Sequence, residues 1–188
     1  RIMHSERAPK DIQELGGEQE LIQLWINNPK INKMDQPQYF PLTREETPVI
    51  KSDDGKVDVS VIAGQLNNVS GKISTLIPVN AFVITAQKGG KQVITFPANH
   101  NAFIYLLDGQ LKINGFGLVH GTTAVTFNND GEGISFEALE DTRALLMTGE
   151  PINEPVVAHG PFVMNSESEI LEAMRDYRMG KMGILIED

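Results

Sequence analysis

Between Val49 and Thr148 the apolar residues fall in short runs, most of them alternating with polar ones. In Val57-Asp58-Val59-Ser60-Val61 the three valines share one face and the polar pair the other, as in a strand with one side on a core and one toward water. The stretches VDVSVIAG, AFVITAQ, KQVITF, AFIYLLD, QLKING, TTAVTF, GISFEAL and RALLMTG all read as strands. Turn signals separate them: Asp54-Gly55, Gly89-Gly90, Asp108-Gly109 and Asn129-Asp130-Gly131. Strands this short and this evenly spaced predict an all-β fold, an antiparallel barrel or jelly roll.

The flanks read differently. In LIQLWIN, Leu21 to Asn27, Ile22, Leu24 and Ile26 lie on one face of a predicted strand and Leu21, Gln23, Trp25 and Asn27 on the other. The preceding residues are loop-like and too few to supply a sheet, so this strand needs partners from elsewhere. Pro29, Pro37, Pro41 and Pro48 then mark residues 29–48 as a linker, since each proline removes a donor and holds its predecessor extended. After the strands, GEPINEPVVAHGPFVMN is expected as a loop lying over the barrel. SESEILEAMRDYRMG reads as a helix, with Ser166 and Glu169 in a capping-box pattern, Ile170, Met174 and Tyr177 on one face, and Gly180 at its end.

Composition narrows the chemistry. None of the 188 residues is cysteine, which excludes disulfides, thiolate metal sites and cysteine nucleophiles and fits a cytoplasmic protein. The net charge is −9 with the cations scattered, so no direct nucleic-acid contact is expected. No apolar run is long enough for a membrane span.

His4 and Glu6 are two apart, a spacing that on a strand projects an imidazole and a carboxylate from one face. Such donors suit a non-heme Fe(II) site with open positions; the alternative is a solvated edge strand. Trp25 and Gln23 line a pocket in one reading and belong to an ordinary core in the other. His100 is expected as a solvated turn residue, His120 at a turn or strand end, and His159 as a loop anchor through a hydrogen bond. Gly71-Lys72-Ile73 lacks the glycine spacing and helix of a phosphate loop, and Glu132, Glu137 and Glu140 read as surface charges.

Taken together, HSE at 4–6, LIQLWIN at 21–27, PQYF at 37–40, NAFIYLLDG at 101–109, GEPINEPVVAHGPFVMNS at 149–166 and the DYRMGKMG tail resemble the pirin family of two-domain cupins. The resemblance spans nearly the whole chain in consistent order. It implies a cupin barrel (double-stranded β-helix or jelly roll) with a C-terminal helix, preceded by the remnant of another cupin barrel. The division it implies is 1–28 as the end of a metal-binding N-terminal cupin, 29–48 as linker, 49–165 as the C-terminal barrel with its closing loop, and 166–188 as helix and tail.

The family's metal is held in its first barrel by three histidines and a glutamate. His4 and Glu6 match the later His-x-Glu of that set, which places the two remaining histidines upstream of Arg1. Iron(II), or another divalent metal, is therefore the implied cofactor of the intact protein, absent or weakly held by these residues alone. In the second barrel Thr95 and Pro97 stand where paired histidines would fall, so no metal is expected there.

Two functions follow from the resemblance. One is flavonol (quercetin) 2,3-dioxygenase activity on a flavonoid-type small molecule, with Glu6 serving as ligand or as general base. The other is a redox-sensitive protein-interaction module acting on transcription through a protein partner, with nuclear location in an animal.

Overall fold

The computed structural model describes residues 2–115 and 117–184. They form two compact units: Phe40–Pro151, and a second that combines the residues up to Tyr39 with those from Ile152 onward.

The Phe40–Pro151 unit is built of strands β1 (Val49–Lys51), β2 (Val57–Ala63), β3 (Gln65–Leu66), β4 (Val69–Ser70), β5 (Val79–Ala86) and β6 (Lys91–Thr95). These are followed by β7 (Asn101–Asp108), β8 (Gln110–Ile113), β9 (Gly117–His120), β10 (Thr123–Thr126), β11 (Gly133–Ala138) and β12 (Thr142–Gly149). One sheet has the order β1-β2-β5-β12-β7-β10 and a second β6-β11-β8-β9, while β3 and β4 form a small hairpin. All ladders between named strands are antiparallel. This is the predicted jelly roll, and each of the eight stretches read as a strand holds one.

The alternation in the sequence decides which side chains meet. Val57, Val59 and Val61 of β2, Phe82 and Ile84 of β5, Ile104 and Leu106 of β7, and Ala144 and Leu146 of β12 point inward from the larger sheet. Ile94, Leu111, Ile113, Ile134 and Phe136 of the smaller sheet complete the same core. Strand β12 is apolar on both faces: Leu145 and Met147 join Ala63, Val79 and Ala81 in a separate cluster, against which Ile73 and Ile77 pack. That explains why RALLMTG shows a continuous apolar run rather than alternation.

Asp108-Gly109 turns the chain from β7 into β8. Gly109 has φ +82°, and a Cβ there would lie 2.3 Å from the carbonyl oxygen of Asp141, so this turn admits glycine alone.

The flanking unit contains α1 (Lys10–Leu15), a 3₁₀ turn at Lys30–Asn32, the hairpin β13 (Val157–His159) and β14 (Phe162–Met164), and α2 (Glu167–Arg178). Ser166 caps α2 as predicted, accepting the Glu169 amide N–H, while the Glu169 carboxylate accepts the amide of Asn165 at 3.0 Å. Lys30 ties the two flanks: its amide donates to Glu154 at 2.7 Å and its ammonium lies 2.9 Å from Glu169.

Three local expectations need correction. LIQLWIN is not a strand: no ladder reaches residues 21–27, and Leu21 and Trp25 are each 63% exposed. A strand exists only where a neighbour takes its hydrogen bonds, and none does so among the described residues. Residues 10–15, read as loop, form α1, and the 149–166 segment is a hairpin over part of its length rather than loop throughout.

Candidate functional site

His4 and Glu6 lie on irregular chain outside any strand, yet their side chains converge, with Nδ1 3.9 Å from Oε1. The amide of Gln23 donates to the same Glu6 oxygen at 2.6 Å. Together with Trp25, Lys33 and Met164 they line a cleft of about 640 Å³ within the flanking unit. The four residues singled out in the sequence, His4, Glu6, Gln23 and Trp25, thus share one site although Gln23 and Trp25 are distant along the chain. Trp25 is exposed and belongs to this cleft rather than to a closed core.

The donor chemistry fits a divalent metal in part. An imidazole and a carboxylate are suitable ligands, and a second group hydrogen-bonded to the carboxylate is the kind of support that orients a ligand. The number does not suffice: among the described residues no three histidine, aspartate or glutamate side chains are grouped to hold an ion. The pair fits as part of a donor set.

Lys33 was not singled out from the sequence. Its ammonium donates to the side-chain oxygen of Asn27, and partial burial lowers its pKa below the ordinary value, against the opposing charges of Glu154 and Glu169. A lone lysine in NKM carries no sequence signal of this placement.

The barrel holds a second polar constellation. Along the inward face of β5 the row Ile84, Phe82 ends at Asn80, and along β12 the row Ala144, Leu146 ends at Thr148. Asn80 and Thr148 are registered partners, and the Asn80 amide donates to the Thr148 hydroxyl at 2.9 Å. His100 approaches the same hydroxyl through Nδ1 at 3.0 Å.

His100 is only 5% exposed, which corrects its reading as a solvated turn residue. Burial lowers its pKa, opposed by the charge of Glu150. PANHN looks like a surface turn, and the hydrogen-bond partner of its histidine, Thr148, lies on a distant strand. The polar residues interrupting two apolar runs, in VNAFVITA and LLMTG, were the available signal.

His100 lines a cleft of about 980 Å³ with Leu76, Ile77, Thr95, Phe96 and Pro97 among others. Thr95 and Pro97 therefore do sit at this opening, and neither offers an imidazole. His120 ends β9 as expected. His159 ends β13, exposed and without a side-chain hydrogen bond among the described residues, so it anchors no loop.

Two facing antiparallel sheets in this order, with a polar opening at one end of an apolar interior, define a cupin barrel. Residues 81–183 match the Pirin C-terminal cupin domain, more than half of the chain, and the chain belongs to the pirin family. It is 35% identical over 188 residues to a pirin-like protein of Solanum lycopersicum, covering 97% of this chain and 61% of that protein. To the pirin of Homo sapiens it is 34% identical over 169 residues, covering 86% and 57%. Among solved structures it is similar to a quercetin 2,3-dioxygenase from Acinetobacter baumannii, with TM-score 0.82, 33% identity, and 86% of this chain and 56% of that one covered. The chain thus spans about 60% of the length of the curated relatives it matches. No described helix is long and apolar enough to cross a membrane.

Proposed function

We propose that these residues belong to a metal-dependent cupin oxygenase acting on a flavonol-type phenol, with His4 and Glu6 among the metal ligands. The observation that carries this reading is the convergence of His4, Glu6, Gln23 and Trp25 in one cleft. Similarity to a solved quercetin 2,3-dioxygenase supports the substrate class. The two further histidines that the reading requires would lie upstream of Arg1.

A bound divalent metal would supply open coordination positions for oxygen and substrate. Gln23 holds one carboxylate oxygen of Glu6, which fixes the plane of the group and leaves the other oxygen for a metal or a substrate hydroxyl. In the second role Glu6 would accept the phenolic proton, and its partner Gln23 would steady the carboxylate through the transfer. The exposed face of Trp25 offers a flat apolar surface for an aromatic ring.

The test uses protein extended upstream of Arg1. Metal content is measured in the parent, His4→Ala and Glu6→Gln, and oxygen uptake with quercetin is measured with and without metal. The expected result is loss of metal in His4→Ala and metal-dependent uptake in the parent. Unchanged metal in both variants, or uptake equal to that of the metal-free control, overturns the reading.

A further inference from the structure

We propose that the cleft at His100 is a second small-molecule site, in the cupin barrel of Phe40–Pro151, which takes an uncharged compound through one carbonyl oxygen.

A chain of hydrogen bonds with a fixed direction ends at His100. The backbone N–H of Gln65 donates to Asn80 Oδ1 at 3.0 Å, and because an amide N–H only donates, the orientation of the Asn80 side chain follows. Its NH₂ must then donate to Thr148 Oγ1. The Thr148 hydroxyl has no other side-chain or backbone acceptor among the described residues, so its proton points to His100 Nδ1. A neutral imidazole accepting at Nδ1 carries its proton at Nε2. Nε2 has no partner among the described residues and is open to the cleft, although the residue as a whole is only 5% exposed.

A donor prepared in this way at the edge of a cleft asks for an acceptor. The surroundings choose its kind. Leu76, Ile77, Phe96 and Pro97 line it beside the polar Gln65, Asn67 and Thr75, no lysine or arginine does, and Glu132 does. An anion would meet that negative charge without a counterion, whereas a ketone or similar carbonyl brings an acceptor and no charge. The site needs no metal and does not depend on the role of His4 and Glu6.

The test is NMR of the whole protein labelled with ¹⁵N, reading the His100 ring nitrogens while acetophenone, ethylbenzene or benzoate is added at millimolar concentration. Expected are the Nε2–H tautomer in the free protein and movement of the Nε2 signal with acetophenone. Ethylbenzene, which lacks only the carbonyl oxygen, should bind about 3- to 10-fold more weakly, and benzoate more weakly than acetophenone. Thr148→Val, checked for retained fold by circular dichroism, should lose the tautomer preference and the advantage of acetophenone over ethylbenzene. An Nδ1–H tautomer, an unmoved ring signal, or equal binding of acetophenone and ethylbenzene overturns the proposal.

Discussion

Asn80 and Thr148 face each other as registered neighbours on β5 and β12, amide nitrogen to hydroxyl oxygen at 2.9 Å, both nearly sealed from water. They are where the barrel interior changes from apolar to polar. A polar pair in this position stabilises only while every member is satisfied, and His100 and the Gln65 amide complete it.

Thr148→Val keeps the shape and removes the hydroxyl. It leaves the Asn80 NH₂ and His100 Nδ1 without their shared partner, so a loss of about 1–3 kcal/mol is expected. Asn80→Leu strands the Gln65 amide as well and should cost at least as much. Because the two act through one bond, the double variant should be clearly less destabilised than the sum. Urea unfolding of all four proteins measures this; strict additivity would show that the pair does not act as a unit.

His100 makes stability depend on pH. Burial lowers its pKa below the ordinary 6.5, so the unfolded chain takes up a proton before the folded one does. The stabilisation is complete above about pH 6.5 and is lost as pH falls from there through the lower folded value. His100→Asn cannot titrate, and its unfolding free energy should change less than the parent's between pH 7 and about pH 5. Parallel slopes for the two proteins would contradict this.

Glycines at turns separate two costs that are often merged. Gly109→Ala meets both a positive φ and a Cβ at 2.3 Å from Asp141 O, so about 3 kcal/mol or more of stability should be lost. Gly115 has φ +79° with nothing within 4 Å of a Cβ, and Gly115→Ala should lose only about 1 kcal/mol. Thermal melts of the two variants test the difference, and similar melting points would show that the close approach at Gly109 relaxes freely.

The barrel was legible in the sequence because its strands carry their own signal: valines alternating in VDVSV, and turns at Asp108-Gly109 or Gly89-Gly90. Strands β1, β3 and β4 went unread, being two or three residues long and too short to show a period, as did the four-residue β9. LIQLWIN shows the opposite failure, a strand pattern without a strand, since apolar alternation states a preference and the hydrogen bonds must come from a neighbour. In the candidate site, the spacing of His4 and Glu6 suggested a shared face on a strand; their side chains do approach, on chain that forms no strand. Gln23 could be placed on a face but not matched to Glu6, because that bond joins two separate stretches of irregular chain. His100 was misread for a related reason: burial of a turn residue is decided by strands far along the chain, here β5 and β12.

The cap of α2 was readable, and it combines two effects that substitution can separate. The Ser166 hydroxyl takes the Glu169 amide, so Ser166→Ala should lower stability of the helix by about 1 kcal/mol. The Glu169 side chain does two things at once, accepting the Asn165 amide and pairing with the Lys30 ammonium. Its pKa is lowered first by the hydrogen bond from Lys30, so the favourable contribution is present above the ordinary carboxyl value of 4.5 and is lost as pH falls through the lower folded value. Glu169→Gln keeps an oxygen for Asn165 and loses the charge. The deficit of this variant should therefore shrink with added salt and disappear in acid, while that of Ser166→Ala persists under both conditions. Amide hydrogen exchange in α2, followed with and without salt, distinguishes them. A deficit in Glu169→Gln that is indifferent to salt would mean that the carboxylate acts on α2 through the Asn165 amide alone and that Lys30 does not hold the two flanks together.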